Sequence, residues 1–182
     1  MNFLWDKHNH FNLANLFTLV NITMGVLAVY FITQNNFFLA IILAWIGGAF
    51  DIFDGKIARK YQLSTEFGVQ LDSFADFLSF VLVPTFLIFQ AIFSNDPSII
   101  VAIVMIYYVI SGLRRLITFN INANIGEVEN YFTGVPTPLG AILLWFVYLI
   151  YSYEILTSSF IAIALVAVIG YLLNSKVKIK HP

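Results

Sequence analysis

The stretch DIFDGKIARKYQLSTEFGVQLDSFAD, residues 51–76, decides how the rest of the chain is interpreted. It carries five of the ten acidic residues in a chain of 182 residues that is 60% hydrophobic and only 10% charged. Four of the five are aspartates: Asp51, Asp54, Asp72 and Asp76. Ionisable side chains are costly inside a membrane and are usually retained there for function. This stretch therefore predicts a functional site in an otherwise apolar protein.

The overall composition is typical of a membrane protein. The mean hydropathy is +0.86, and the charged fraction lies far below the roughly 25% of soluble domains. The formal net charge of -1 argues against a nucleic-acid partner, and without cysteine no disulfide framework can form. The first apolar segment is not followed by a cleavage site of small residues, so we expect it to be a retained span and not a signal peptide.

Six apolar segments approach the length of about 20 residues that a helix needs to cross a bilayer. They are residues 13–33, 37–56, 69–93, 99–119, 135–153 and 155–173. They predict an all-α integral membrane protein with six transmembrane helices, organised as a single domain over residues 1–182. The preceding residues 1–11, MNFLWDKHNHF, mix aromatic and polar side chains. Such a mixture predicts a short interfacial helix.

The basic residues predict the orientation of these spans. With six spans, all nine fall at the face that holds both termini, and the three opposite joints contain none. The positive-inside rule then puts both termini and the acidic stretch at the cytoplasmic face of the inner membrane. The nine are Lys7, Lys56, Arg59, Lys60, Arg114, Arg115, Lys176, Lys178 and Lys180.

The spacing of the four aspartates predicts that their carboxylates meet. Asp51 and Asp54 are three residues apart near the end of the second span, and Asp72 and Asp76 are four apart near the start of the third. Each pair shares one helix face, and a hairpin brings the two faces together. Carboxylates so close repel each other unless a proton or a cation intervenes. Oxygen-rich clusters select hard divalent ions such as Mg²⁺, Mn²⁺ or Ca²⁺.

A structural explanation of the aspartates is weaker. Solvated side chains, or capping residues favoured by a helix dipole, would account for Asp72 and Asp76. Neither accounts for Asp51 and Asp54 inside an apolar run.

The neighbouring residues suit a phosphate ligand. Gly55 and Ala58 are small enough for close approach, and Gly68 lies one turn before Asp72 on the same face. Arg59 can bind a phosphate through two parallel hydrogen bonds. The stretch therefore predicts a cavity between facing helices that is lined by carboxylates.

Eight of these positions carry a resemblance to a known family. The pattern DxxDG-xx-AR-x8-G-xxx-D-xxx-D resembles the signature of the CDP-alcohol phosphotransferase family, with no departure at any of the eight. The resemblance implies transfer of a phosphatidyl-type group from a CDP-linked lipid to an alcohol, with release of CMP. It implies homodimers and two divalent cations, Mg²⁺ or Mn²⁺, with Asp76 also as general base. The implied cation ligands are Asp51, Asp54, Asp72 and Asp76, and the implied nucleotide or phosphate site is Asp54, Gly55, Ala58, Arg59, Gly68 and Asp72.

Three further stretches resemble the members that use CDP-diacylglycerol and L-serine. They are NLANLFTLVNITMG at 12–25, GLRRLITFN at 112–120 and YFTGVPTPLGA at 131–141. Thr118 stands where that group has a second arginine, which could bind the serine carboxylate or the lipid phosphate. The candidates for the acceptor or lipid-phosphate site are Arg114, Arg115, Thr118 and Asn120. An alternative for the two arginines is snorkelling to the cytoplasmic face, and paired prolines could simply make the 131–141 stretch a rigid loop.

Other acceptors and other classes remain as alternatives to serine transfer. Within the family the acceptor could be glycerol 3-phosphate, an inositol phosphate or choline, although a phosphorylated acceptor should demand more basic residues. A membrane prenyltransferase also uses aspartates and a diphosphate lipid, but with motifs on distant helices. A cation transporter or channel predicts internal repeats, none of which is evident, and Arg59 beside the cluster would oppose cation passage.

Overall fold

Helices form nearly all of the regular structure in the computed structural model, which describes residues 3–6, 9–95, 98–123, 131–176 and 178–180. The predicted helical class is therefore confirmed. The described residues also form one antiparallel ribbon of two three-residue strands, in which Phe132 lies opposite Ile179. The α-helices are α1 (Leu13–Thr33), α2 (Phe37–Tyr61), α3 (Glu66–Asp76), α4 (Val83–Ile88), α5 (Ile99–Ala123), α6 (Thr137–Ser152) and α7 (Ser159–Leu173), and the strands are β1 (Tyr131–Thr133) and β2 (Lys178–Lys180).

Four helical stretches among the described residues are long and apolar enough to cross a membrane. They are Leu13–Thr33, Phe37–Tyr61, Glu66–Phe93 and Ile99–Ile121. Two shorter apolar helices, Thr137–Ser152 and Ser159–Leu173, follow where the fifth and sixth spans were predicted. With a rise of 1.5 Å per residue they are about 24 and 22 Å long, against a hydrocarbon core of about 30 Å. The chain is thus a multi-pass membrane protein, and the count of six spans stays a prediction.

The loop between the second and third helices is shorter than the sequence predicts. The second span was expected to end at residue 56 and the third to begin at 69, but α2 continues to Tyr61 and α3 begins at Glu66. Lysine, alanine and arginine are good helix formers, so the helix outlasts its apolar part. Gln62 ends α2 in the left-handed conformation with φ 55, and the Thr65 hydroxyl accepts from the Gly68 amide at 3.0 Å to begin α3.

The chain divides into two compact units, Met1–Ser79 and Phe80–Pro182, so the single-domain organisation stays a prediction. In the first unit α1 packs along α2 and also against α3. Small residues are buried on both packed helices, which lets their backbones approach closely. They are Ala14, Gly25 and Ala28 of α1 and Ala40, Ala44 and Gly47 of α2.

The predicted interfacial helix is a single turn of 3-10 helix, Phe3–Trp5. The Trp5 ring meets the Tyr61 ring edge-on, with 4.5 Å between centroids. A second contact follows along the chain, since the His10 ring stacks on Phe67 at 4.3 Å. The amino-terminal segment therefore packs against both ends of the loop between α2 and α3.

The helical stretch Glu66–Phe93 contains two π-helical segments. π-helical turns at Phe77–Leu82 and Phe89–Phe93 flank α4. Pro84 lies in the first turn of α4. Because proline has no N–H, it cannot bond the carbonyl of Phe80 four residues earlier, and the helix widens there instead of closing an α-helical turn. The first π-helical turn begins directly after Asp76.

In the second unit α4 packs on α6, and α7 packs on both α5 and α6. The fifth span was predicted from residue 135, but α6 begins at Thr137 because Pro136 caps it in an extended conformation. Gly134 has φ +88, and a Cβ there would lie 2.6 Å from the Leu173 carbonyl oxygen. Only glycine fits this position, so the paired prolines and Gly134 together shape a rigid turn before α6.

Candidate active site

Three of the four aspartates converge in the first unit, as the hairpin arrangement predicts. Asp51 comes from α2, and Asp72 and Asp76 come from α3. Each offers a carboxylate oxygen, and these oxygens all lie within 4.8 Å of one another. All three residues are half-buried. Ionised carboxylates at this separation repel one another strongly wherever water is partly excluded. The arrangement is therefore suited to a proton or a cation that relieves the repulsion.

Asp76 provides a second observation that points to a cation. Its Oδ1 atom is buried and has no hydrogen-bond partner among the described residues. An unpaired buried carboxylate oxygen is costly. The three side chains offer only oxygen, the ligand atom that Mg²⁺, Mn²⁺ and Ca²⁺ prefer. The residues present therefore fit a hard divalent cation.

Asp54 lies one turn further along α2 and is positioned separately. It is buried, with 5% of its surface exposed. Its Oδ2 accepts a hydrogen bond of 2.6 Å from the hydroxyl of Thr18 in α1. Asp54 therefore lies beside the cluster of Asp51, Asp72 and Asp76 but is not one of its three residues.

Helix α1 also reaches Asp51. The Asn21 side-chain amide donates to Asp51 Oδ1 at 3.0 Å, and Asn21 Oδ1 accepts from the Ser79 hydroxyl at 2.7 Å. Helices α1 and α2 run antiparallel. Asn21 therefore follows Thr18 by three residues on α1, and its partner Asp51 precedes Asp54 by three residues on α2. The two hydrogen-bonded pairs therefore occupy successive positions of one helix contact.

Sequence reasoning missed these polar groups of α1. Asn12, Asn15, Thr18 and Asn21 are all buried, and they recur at every third position at the start of an apolar helix. That recurrence was the available signal, because an apolar helix rarely buries several amides without partners for them. The remaining group, Ser79, carries no such periodic signal.

A cavity of about 150 Å³ lies beside the acidic cluster in the first unit. All six residues predicted to form the nucleotide or phosphate site line it. Helix α1 and the loop between α2 and α3 supply most of the remaining walls, which the sequence did not indicate. The lining residues are Ala14, Asn15, Thr18, Asp54, Gly55, Ala58, Arg59, Leu63, Ser64, Thr65, Gly68, Val69 and Asp72.

Close packing around the cavity explains the glycine of α3. A Cβ at Gly68 would lie 2.7 Å from Asn15 Oδ1 and 3.2 Å from the Thr65 hydroxyl oxygen. The first distance is too short for any real contact, so α1 and α3 can approach only with glycine there. Gly55 differs, since the nearest atoms to its Cβ would be those at the flexible end of Arg59, at 3.5 Å. Arg59 is exposed, and its guanidinium folds back over Gly55 at the cavity.

The acceptor candidates lie in the second unit and have unlike environments. Arg115 is buried with 7% exposure, and its Nε donates to the Val135 carbonyl at 3.3 Å. Snorkelling therefore does not describe Arg115, whereas Arg114 is exposed. Thr118 is exposed, and its hydroxyl donates to the Arg114 carbonyl at 2.9 Å. Asn120 is half-buried.

Comparison with known proteins gives a consistent result. The sequence profile of the CDP-alcohol phosphatidyltransferase family matches residues 11–172. The chain is 31% identical over 166 residues to a CDP-diacylglycerol–serine O-phosphatidyltransferase of Bacillus subtilis, which covers 91% of this chain and 88% of the relative. It is 35% identical over 172 residues to the protein of that name from Methanocaldococcus jannaschii, covering 93% of this chain and 75% of the relative.

A Helicobacter pylori protein of the same name is 31% identical over 130 residues, or 71% of this chain. The match spans 54% of that relative, so the chain covers about half the length of the Helicobacter protein.

Proposed function

The chain belongs to the CDP-alcohol phosphatidyltransferase family, and on that premise we propose that it transfers a phosphatidyl group from CDP-diacylglycerol to the hydroxyl of L-serine. The products are phosphatidylserine and CMP. One observation carries the proposal: three carboxylate oxygens lie within 4.8 Å of one another in the unit whose cavity is lined by the other motif residues. The names of the Bacillus and Methanocaldococcus relatives support serine as the acceptor.

The proposed cofactor is a pair of divalent cations, Mg²⁺ or Mn²⁺, held by Asp51, Asp54, Asp72 and Asp76. The buried, unpaired Oδ1 of Asp76 supports this assignment. Bound cations would neutralise the diphosphate and the charge that develops around the attacked phosphorus.

The cavity is the proposed site for the polar end of CDP-diacylglycerol. Its volume of about 150 Å³ is below the roughly 300–1,000 Å³ of sites that enclose a whole small molecule. We therefore assign it to part of the CDP group, with the acyl chains in the bilayer. Gly55, Ala58 and Gly68 leave room for the nucleotide, and Arg59 donates to a phosphate.

Asp76 is the proposed general base. One oxygen of its carboxylate would accept the proton of the serine hydroxyl, and the serine oxygen would attack the phosphorus on the lipid side of the diphosphate. A bond from the serine oxygen to phosphorus forms, and the bond from phosphorus to the bridging oxygen breaks. CMP leaves with the bonding electron pair. No side-chain nucleophile is needed, so the transfer is direct.

Arg115 is the proposed anchor for the serine carboxylate or the lipid phosphate. Its Nε is committed to the Val135 carbonyl, which fixes the plane of the guanidinium. The group has further N–H donors that can bind an anion in a fork geometry. Arg114 precedes Arg115 on α5, and Thr118 and Asn120 follow it. All three are proposed to shape the acceptor site around Arg115.

The proposal includes the membrane arrangement. We infer six spans, cytoplasmic termini, a cytoplasm-facing site in the inner membrane, and a homodimer. The distribution of the nine basic residues supports the orientation. The dimer rests on the family resemblance alone.

The test is CMP release by the purified protein from CDP-diacylglycerol with Mn²⁺ or Mg²⁺. Serine, glycerol 3-phosphate, inositol, inositol phosphate and choline are supplied separately. Release with serine alone is the expected result, and Asp76→Asn serves as the inactive control. Release with a different alcohol would overturn the serine assignment but keep the aspartate chemistry. Cation binding without CMP release under any condition would favour a cation transporter.

A further inference from the structure

Two buried residues outside the eight-position aspartate pattern connect the acidic cluster to the interior of the first unit. Asn21 and Ser79 are 0% and 1% exposed. The Ser79 hydroxyl donates to Asn21 Oδ1 at 2.7 Å, and the Asn21 amide nitrogen donates to Asp51 Oδ1 at 3.0 Å. The three groups form one continuous chain of hydrogen bonds that ends on a carboxylate of the cluster.

The direction of this chain follows from its chemistry. An ionised carboxylate only accepts hydrogen bonds, so the NH₂ group of Asn21 must face Asp51. The Asn21 carbonyl then faces Ser79, whose hydroxyl can donate. Each donor in such a chain polarises the next one, which strengthens the bond to the charged end. This order of groups therefore strengthens the hydrogen bond that the Asn21 amide donates to Asp51.

Two glycines make space for the chain. A Cβ at Gly47 would lie 2.7 Å from Asn21 Oδ1, and a Cβ at Gly25 would lie 3.1 Å from the Ser79 hydroxyl oxygen. Replacing both partners of a buried hydrogen bond by apolar residues of the same shape can be nearly neutral for stability. Two polar residues with two glycines beside them therefore indicate a purpose other than packing.

We propose that Ser79 and Asn21 are positioning residues that hold the Asp51 carboxylate in place for a divalent cation. This inference rests on the proposed function. Repulsion from Asp72 and Asp76, whose oxygens lie within 4.8 Å, pushes the Asp51 carboxylate out of the cluster. The Asn21 amide opposes that push through one oxygen of Asp51, and the second oxygen is left for the cation. Ser79 acts only through Asn21, by preventing its amide from turning over.

The experiment measures Mn²⁺ binding to the full chain in detergent, without substrate, from the loss of the free Mn²⁺ signal in electron paramagnetic resonance. Residues that orient metal ligands typically change affinity by about 10–100-fold. We expect Asn21→Leu to weaken Mn²⁺ binding by about that factor, and Ser79→Ala by about tenfold or less. Thr23→Val is the matched control, because Thr23 is exposed on the same helix and its hydroxyl donates to the Leu19 carbonyl of its own turn.

The double variant decides whether Ser79 acts through Asn21. We expect Asn21→Leu with Ser79→Ala to bind Mn²⁺ as weakly as Asn21→Leu alone. If the fold-losses of Mn²⁺ affinity in the two single variants multiply in the double variant, Ser79 does not act through Asn21 and the proposal is wrong. An unchanged dissociation constant for Mn²⁺ in Asn21→Leu would also overturn it. A wild-type protein that binds no divalent cation would overturn the metal-dependent function as well.

Thermal unfolding separates positioning from a role in packing. Mn²⁺ should raise the unfolding temperature of the wild type. Ser79→Ala should make this increase smaller, and that reduction should exceed the amount by which the substitution lowers the unfolding temperature without cation. The positioning role would be refuted if Ser79→Ala had a lower unfolding temperature without cation but the same increase on adding Mn²⁺ as the wild type. This measurement needs only Ser79→Ala, so it can be made even if Asn21→Leu does not fold.

Discussion

The hydrogen bond from Thr18 to Asp54 supports a quantitative prediction. Thr18→Val removes the hydroxyl and keeps the shape of the side chain, so packing between α1 and α2 should change little. The distance of 2.6 Å lies in the range of about 2.5–2.7 Å for a hydroxyl bonded to a carboxylate. Thr18 and Asp54 are 3% and 5% exposed, so water cannot readily replace the lost donor.

The magnitude follows from that environment. A hydrogen bond to a charged group contributes about 1.5–3 kcal/mol, and each 1.4 kcal/mol is a factor of about ten in an equilibrium constant. If the hydrogen bond sets the position of Asp54 for its ligand, Thr18→Val should raise the dissociation constant of CDP measured with Mn²⁺ by about 10–100-fold.

The assay is a calorimetric titration of CDP into the purified protein at fixed Mn²⁺ concentration. Thr18→Ser keeps the hydroxyl and should recover most of the affinity, while Thr23→Val should bind like the wild type. Equal losses in Thr18→Val and Thr18→Ser would refute the reasoning, because the methyl group and not the hydroxyl would then be responsible. Wild-type affinity in Thr18→Val would show that Asp54 needs no support from α1.

Three further predictions concern the base, the packing and the acceptor. Asp76→Asn should lower the turnover number for CMP release by about 10²–10⁴-fold while a thermal-shift titration still detects CDP; unchanged turnover would remove Asp76 from the role of base. Gly68→Ala should destabilise the fold by about 1–3 kcal/mol, because the new Cβ would lie 2.7 Å from Asn15 Oδ1. The measurement is the unfolding temperature, with Gly55→Ala as the control, and an equal decrease at both sites would contradict the packing argument. Thr118→Arg places a cation on an exposed part of α5 and should change the KM for serine more than the turnover number; a serine saturation curve like that of the wild type would place this face away from the acceptor.

Local sequence patterns predicted the bounds of α1 and the convergence of three aspartates, and both have a physical reason. The predicted bounds of α1 agree with the structure because Asn12 caps the helix at the point where the apolar run begins. The convergence of Asp51, Asp72 and Asp76 could be predicted because a short hairpin and a helical repeat leave few other arrangements. The extension of α2 to Tyr61 could not, because the end of an apolar run does not mark the end of a helix.

The partners of the carboxylates were beyond reach of spacing arguments. Ser79 meets Asn21 across 58 positions of sequence, and that contact depends on how α1 is rotated between its neighbours. The burial of Arg115 likewise depends on the turn before α6, whose Val135 carbonyl accepts its hydrogen bond. Tertiary contacts of this kind require the packed structure.

The polar groups of α1 have a consequence for the way the site can open. Steps of three residues turn back by about 60° around a helix, so Asn15, Thr18 and Asn21 follow a path that winds around α1 instead of a straight stripe. A screw-like shift of α1 by one residue would move these groups about 1.5 Å along the axis and rotate them by about 100°. It would break the hydrogen bonds from Thr18 to Asp54 and from Asn21 to Asp51 together. A movement of α1 that keeps both hydrogen bonds must therefore carry α2 with it as one body.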